Sequence, residues 1–335
     1  MLGNFFNNLY YGKAGKADFN PENLPTSRVS LFFQMLRVYW GSLMKLNLLY
    51  LLFYLPAILW TVMNYLVLQN TAAAVQAGEM TADAMRSQAF SLITTYLLIL
   101  FPCLAITGPA TAGVSFVTRN WTRDQHSFMF SDFKDAFKAN WKQALGVSAI
   151  TGALPIILYV GYRFYGQMAA SKGFLFAVPQ TLCVILGVIW LLSLQVVYMM
   201  MVTYELSFKN LLRNALIMTF GKLPLALGIR LCSLWLVILA FAVMLLIPAA
   251  TAYVMLALML YYLLFGFAFD RFLFSAYANA VCERYINPNI EGAKTGMGLR
   301  QTTEDDYEID PTLPQPKQDD EQKGCTADLR GRTTA

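Results

Sequence analysis

The sequence has 335 residues, of which 57% are hydrophobic and only 13% are charged, whereas about a quarter of the residues in a soluble domain are charged. The apolar residues come in long runs, which excludes a water-soluble globular protein and predicts one membrane domain with an attached tail. The net charge of +5 combines a basic body, with 19 Lys and Arg against 10 Asp and Glu in residues 1–286, and an acidic end, with 6 against 10 in residues 287–335.

The first forty residues mix basic and acidic side chains and lack a short apolar core ending in small residues. We therefore expect no cleaved signal peptide. An apolar region then runs from Val29 to about residue 68, and one helix of that length would measure about 60 Å, twice the thickness of the hydrocarbon core. This length predicts two pieces: an interfacial helix over residues 28–42, capped by Ser27 and broken at Gly41, and the first span.

Six stretches have the roughly 20 mostly apolar residues that a membrane-spanning helix needs. They cover residues 46–68, 90–118, 144–165, 174–202, 224–247 and 250–278. The connection Pro248–Thr251 is long enough only for a tight hairpin. Apolar and aromatic residues continue to Val281, so we expect the final turns of the last span to project from the membrane. The predicted fold class is all-α, a polytopic transmembrane helical bundle in residues 1–286.

Two connections have the pattern of interfacial amphipathic helices. In residues 131–145 aromatic side chains recur every fourth residue beside a stripe of lysines: Phe133, Phe137 and Trp141 beside Lys134, Lys138 and Lys142. Rings next to lysines are typical of a helix in the headgroup region, with membrane lipid as its partner. Ser131 is the expected N-cap. Residues 206–222 repeat the pattern more weakly.

After Asn287 the composition becomes acidic and rich in proline, with too few apolar residues to form a core. We therefore predict that residues 287–335 are a disordered acidic cytoplasmic tail. A docking segment for a basic partner is the alternative. The basic residues of the body lie at the ends of apolar runs, which is not the pattern of a nucleic-acid-binding face.

No phosphate-binding loop, nucleophile elbow, metalloprotease motif or paired-cysteine motif occurs in the sequence. We therefore predict no enzyme activity, no catalytic residue, no cofactor and no metal site. The single histidine, His126, lies in a polar loop, where we expect a surface or headgroup role. Four of the five cysteines lie in or beside apolar runs as small apolar side chains, and Cys325 is a free thiol in the tail.

Charged residues inside spans are costly and indicate a special role. Arg230 lies roughly 10 Å into the fifth span, and Asp270 lies late in the sixth. Their similar distances from the Pro248–Thr251 hairpin place them at similar depth, which predicts an intramembrane ion pair. The alternative is that Arg230 extends to the cytoplasmic headgroups and Asp270 pairs with Arg271 or water. Either arrangement is expected to be structural.

Uncharged polar residues are scattered over four spans, and small residues mark one helix contact. The polar residues are Asn47, Asn64, Thr107, Thr111, Thr151, Gln180, Thr181 and Gln195. They either line one cavity, as in transporters with proline-broken spans, or form hydrogen bonds with neighbouring groups. Gly108 and Ala112 form a small-xxx-small pattern, which predicts close packing within the chain.

The distribution of Lys and Arg predicts the orientation, because these residues are retained on the cytoplasmic side. With six spans, the segments on the side of the N-terminus carry thirteen of them and those on the other side carry three. We therefore predict a multi-pass protein of the bacterial plasma membrane with both termini in the cytoplasm.

Several motifs occur together in the order of one bacterial family: Gly108–Gly113, Phe116–Asn120, Ser131–Phe133 and Phe137–Gln143, preceded by Lys13–Lys16 and the run from Lys45 to Pro56. Over roughly residues 1–285 the chain resembles the YesL-like family of membrane proteins of unknown function, and the acidic tail lies outside the resemblance. Such proteins are often associated with carbohydrate-uptake operons and their sensor systems. The resemblance therefore implies a role beside sugar ABC transporters and supplies no catalytic residues.

The leading hypothesis is an accessory or regulatory component of a bacterial carbohydrate-uptake system, which contacts an ABC transporter permease or a sensor kinase at its cytoplasmic face. The alternative is a solute transporter in its own right. A membrane enzyme would need clustered ionisable residues that the sequence does not show.

Overall fold

The computed structural model describes residues 24–78, 81–293 and 295–300, and within these ranges the chain is helical without strands. Its α-helices are α1 (Arg28–Gln76), α2 (Ala82–Ala105), α3 (Thr107–Trp121), α4 (Met129–Lys172), α5 (Ala177–Met201), α6 (Phe208–Gly221), α7 (Leu223–Leu246), α8 (Thr251–Tyr261) and α9 (Phe267–Tyr285), and the π-helix Tyr262–Gly266 joins the last two. Six helical segments are long and apolar enough to cross a membrane: α1, α2, α4, α5, α7 and the continuous stretch Pro248–Tyr285. The predicted helical bundle with six spans is confirmed.

The first helix is longer than predicted. Ser27 caps it as expected, because its Oγ accepts a hydrogen bond from the backbone N–H of Ser30 at 3.1 Å. The expected break at Gly41 is wrong, since α1 continues through this residue for 49 residues, about 74 Å. A side chain at Gly41 would have no neighbour to pack against, so the glycine loses no packing contact. One glycine within a helix destabilises it by only about 1 kcal/mol.

The predicted second span, residues 90–118, consists of two helices that meet at Ile106. Pro109 explains the break, because proline lacks the N–H that would bond to the carbonyl four residues earlier and its ring displaces that carbonyl. The carbonyl is that of Ala105, and the hydroxyl of Ser148 in α4 donates a hydrogen bond to it at 2.6 Å. A neighbouring helix therefore satisfies the backbone group that the proline leaves free.

The separate amphipathic helix expected at residues 131–145 is also corrected, because it forms the first turns of α4, which runs unbroken into the third span. Ser131 is not its cap. The carboxylate of Asp132 accepts hydrogen bonds from the hydroxyl of Ser127 at 2.6 Å and from the N–H of Phe128 at 3.0 Å, and so stabilises the start of the helix.

The short helix α3 lies in the interior of the bundle, with residues 107–115 all buried. A side chain at Gly108 would meet Ser148 and the backbone of Ala144, and one at Gly113 would meet Phe133. Glycine therefore lets α3 and α4 approach closely, which confirms the predicted small-residue contact. Met199, Met200 and Met201 are 1–4% exposed and fill the core between α5 and its neighbours.

The remaining connections follow the prediction more closely. Residues 206–222 contain the separate helix α6, and Pro248–Ala250 forms the tight turn between α7 and α8. The compact unit extends to Leu299. Within the segment assigned to the tail from the sequence, Asn287 accepts a hydrogen bond from Tyr204, and the carbonyl of Met297 accepts one from Arg28. The acidic part of the predicted tail lies outside the described residues.

Candidate functional site

One end of the bundle carries a connected set of polar side chains, which we call the polar end. It contains the start of α1, the connections 122–128 and 202–207, and the segment 286–299. Arg28 at the start of α1 forms an ion pair with Glu283 of α9, and its Nη1 donates a hydrogen bond to the carbonyl of Met297 at 3.0 Å. The first and the last spanning segments are thus joined at this end.

Two further arginines belong to the polar end, Arg119 near the end of α3 and Arg123 in the connection after it. Arg119 donates from Nη1 to the carbonyl of Val202 at 2.6 Å, and from Nε and Nη2 to Asn120 Oδ1 at 3.1 and 2.8 Å. Arg123 donates from Nε to Asn279 Oδ1 at 3.0 Å. The amide of Asn279, which is 1% exposed, donates to Thr122 Oγ1 at 2.6 Å. These bonds hold α9 and the connection after α5 against the end of α3.

Burial perturbs the ionisation of these groups. Burial and then the charge of Arg123 lower the pKa of Arg119 to about 10, so Arg119 stays protonated at neutral pH. Burial also lowers the pKa of Arg123, and the carboxylate of Glu283 opposes this effect. Among the described residues, Arg123 Nη2 and Glu283 Oε1 are buried and have no hydrogen-bond partner. Arg28 and Arg123 both interact with the carboxylate of Glu283, and Arg119 lies close enough to Arg123 for their charges to interact.

A groove of about 350 Å³ opens beside this network, between the connection after α5 and the segment after α9. Its lining includes Met200, Tyr204, Glu205, Leu206, Ile286 and Ile290. Tyr204 donates a hydrogen bond from its hydroxyl to Asn287 Oδ1 at 2.6 Å, which joins the two walls. The groove is therefore largely apolar, with the exposed carboxylate of Glu205 at its edge.

The six residues of the predicted interfacial helix lie at the start of α4, and the two stripes occupy different environments. Lys134, Lys138 and Lys142 are exposed, and so is Trp141. Phe133 is buried, and its ring and that of Phe137 lie 6.2 and 5.7 Å from the ring of Phe53 in α1. Two of the three aromatic residues therefore pack against protein, and the lysines with Trp141 form the outer face.

The predicted ion pair between Arg230 and Asp270 is not formed in the structure. The Oδ1 atom of Asp270 accepts a hydrogen bond from the hydroxyl of Ser233 at 2.9 Å. Arg230 donates to the carbonyl of Leu191 in α5. The hairpin places the two charges in the same region, where they interact electrostatically, but each has a nearer hydrogen-bond partner.

Most of the polar residues scattered over the spans form hydrogen bonds with nearby protein groups. Asn47, fully buried in α1, donates to the carbonyls of Tyr262 and Leu263 at 3.0 and 2.8 Å and accepts from the N–H of Ala268 at 2.9 Å. These are backbone groups in and beside the π-helix. The change from α-helical to π-helical hydrogen bonding leaves them without their usual partners in the helix. The side chains of Asn64, Thr107, Thr111, Thr151, Thr181 and Gln195 also donate to backbone carbonyls.

The sequence did not single out the residues that organise the polar end. Glu283 and Asn279 lie near the end of α9, and Arg28 is one of the Lys and Arg residues counted for the orientation. One signal in the sequence could have identified Glu283, because a carboxylate in a helix of mainly aromatic and small residues needs a partner. Within the described ranges no group of three or more His, Cys, Asp and Glu residues could hold a metal ion. His126 is exposed.

One comparison with known proteins matches part of the chain, and two match nothing. No curated protein matches the chain, and no solved structure matches it. Residues 43–162, from within α1 through most of α4, are similar to the family described as "Protein of unknown function, DUF624".

Proposed function

We propose that this protein is an accessory or regulatory component of a bacterial carbohydrate-uptake system, which acts by contact with a partner protein and not by catalysis. The partner would be an ABC transporter permease or a sensor kinase, and the contact surface would be the polar end, on the cytoplasmic side. The association with carbohydrate uptake comes from the resemblance to YesL-like proteins.

The organisation of the polar end is the observation that carries this proposal. The network of Arg28, Arg119, Arg123, Asn279 and Glu283 joins the start of α1, the connections after α3 and α5, and the end of α9 through one ion pair and several hydrogen bonds. A surface that is already ordered loses less conformational entropy on binding. The groove beside this network suits a partner segment of mixed character. Apolar side chains of the partner would pack in the groove, and a basic side chain would pair with Glu205.

Site-specific photo-crosslinking in intact cells tests the proposal. A photoreactive amino acid at Glu205 should crosslink to a permease subunit or a sensor kinase of a carbohydrate system, identified by mass spectrometry. The same amino acid at Gln76, the last residue of α1 at the other end of that helix, is the matched control. Equal capture at both positions, or capture only of proteins unrelated to uptake, would contradict the proposal.

Transport of a solute by the protein itself is the alternative. It requires polar groups that line a passage, and most of the residues considered for that role donate to backbone carbonyls instead. Uptake of a labelled sugar in cells that lack the ABC permease but contain this protein would establish transport. We expect no uptake above that of cells lacking both.

A further inference from the structure

Two arginines of the spanning segments lie close to one aromatic ring. The Cζ atom of Arg230 in α7 lies 4.5 Å from the centroid of Phe274, and that of Arg271 in α9 lies 5.5 Å from it. Arg271 also lies 5.3 Å from the ring centroid of Tyr198 in α5. Two guanidinium groups therefore share one region between α5, α7 and α9.

These guanidinium groups have few hydrogen-bond acceptors. Arg230 donates from Nη2 to the carbonyl of Leu191, and its Nε is buried without a partner. Arg271 donates from Nη1 to the carbonyl of Leu194 at 3.5 Å, which is the upper limit for a hydrogen bond. Each guanidinium carries several N–H donors and no acceptor, so among the described residues most of these donors remain unused.

The charges in this region do not balance. Asp270 is the carboxylate that interacts electrostatically with both arginines, and its hydrogen bond is to Ser233 and not to either of them. The other groups that interact with Arg271 are the phenolic side chains of Tyr50, Tyr54 and Tyr198, and none of these is a carboxylate. Two positive charges and one negative charge leave an excess of one positive charge, which is costly inside a membrane.

The position of the pair allows an anion to approach. Arg230 is seven residues after Leu223, the first residue of α7, and therefore about 10 Å from the end of the helix that lies at the polar end. Both arginines are only partly buried. A phosphate group at this depth would enter between the helices or move inward from the adjacent leaflet.

We propose that Arg230 and Arg271 together bind a phosphate group, supplied either by an anionic phospholipid or by free phosphate. A phosphate has several acceptor oxygens at tetrahedral angles, so it can accept hydrogen bonds from two guanidinium groups at once. Its charge offsets the excess positive charge. This site is separate from the polar end and does not depend on the proposed partner protein.

Native mass spectrometry of the full chain in a neutral detergent tests this site. One arm titrates phosphatidylglycerol, with phosphatidylcholine as the uncharged comparison, and the other titrates inorganic phosphate against chloride at equal ionic strength. We expect saturable binding of at least one of the two phosphate-bearing probes. If phosphatidylglycerol is retained and inorganic phosphate is not, the site belongs to a lipid. If phosphate displaces the lipid, or if phosphate alone binds, the site belongs to a free anion.

The variants Arg230→Gln and Arg271→Gln should weaken this binding at least tenfold. Lys172→Gln removes an exposed cation at the far end of α4 and should leave the affinity unchanged. If Arg271→Gln does not fold, Arg230→Gln decides the result. Native affinity of Arg230→Gln in both arms, or an equal loss in Lys172→Gln, would overturn the proposal.

Discussion

Arg28, the first residue of α1, forms an ion pair with Glu283, two residues before the end of α9. This contact joins the beginning and the end of the membrane domain at one end of the bundle. An even number of crossings is required for such a contact, since an odd number would leave the two residues on opposite sides of the membrane. The six candidate spans satisfy this condition.

Loss of Glu283 should destabilise the protein, because its side chain is 9% exposed and its removal leaves Arg28 and Arg123 without the neighbouring carboxylate. A double-mutant cycle of Arg28→Ala and Glu283→Ala should give a coupling free energy of about 1–3 kcal/mol. Thermal unfolding in detergent measures it. Additive effects of the two substitutions would mean that the ion pair contributes nothing to stability.

Asn47→Leu should lower the stability by about 1–3 kcal/mol. The leucine leaves the carbonyls of Tyr262 and Leu263 and the N–H of Ala268 without the side chain that satisfies them. Asn64→Leu is the matched control, since the Asn64 amide donates only to the carbonyl of Trp60 in its own helix. Unfolding temperatures that fall equally in both variants would argue against a special role for Asn47.

Asp270 should be coupled more strongly to Ser233 than to Arg230. Removal of the Ser233 hydroxyl takes away the hydrogen bond of 2.9 Å to the carboxylate, whereas Arg230 has its own acceptor at Leu191. Two double-mutant cycles on Asp270→Asn, one with Ser233→Ala and one with Arg230→Gln, compare the coupling free energies by thermal unfolding. A larger coupling with Arg230 would restore the ion pair expected from the sequence.

The exposed face of α4 should pass from water into lipid along one continuous helix. Spin labels at Lys138, Leu145 and Ile157, all exposed in the structure, should show decreasing accessibility to a polar nickel reagent and increasing accessibility to oxygen. A step of 1.5 Å per residue predicts a depth difference of about 10 Å between the first two labels. Equal accessibility at all three positions would contradict the membrane-spanning assignment.

Both termini should be cytoplasmic, because Lys and Arg are concentrated in the segments on that side of the predicted spans. An impermeant maleimide added to intact cells should leave Cys325 unlabelled and should label a cysteine introduced at Gln76. Permeabilised cells provide the positive control for Cys325. Labelling of Cys325 before permeabilisation would reverse the orientation and move the polar end to the outside.

The local sequence was sufficient for the features that depend on local composition. Length and apolar content identify the six spans, Ser27 identifies the start of α1, and the four residues Pro248–Thr251 identify a tight hairpin. The pattern of Gly108 and Ala112 indicated a close helix contact for the same reason, because small residues permit such a contact wherever a partner helix is available.

The tertiary structure decided which polar groups meet, and it decided where helices continue. In the sequence, Asn47 is one polar residue in an apolar run. In the folded bundle, the π-helix, more than two hundred residues later, places two free carbonyls next to its side chain. The hairpin brings α7 and α9 together, and there the carboxylate of Asp270 accepts a hydrogen bond from Ser233 and not from Arg230. Membrane insertion depends on the summed hydrophobicity of a segment, which can be read along the chain. Hydrogen bonds depend on distances of a few tenths of an ångström between helices remote in sequence, and these arise only when the bundle packs.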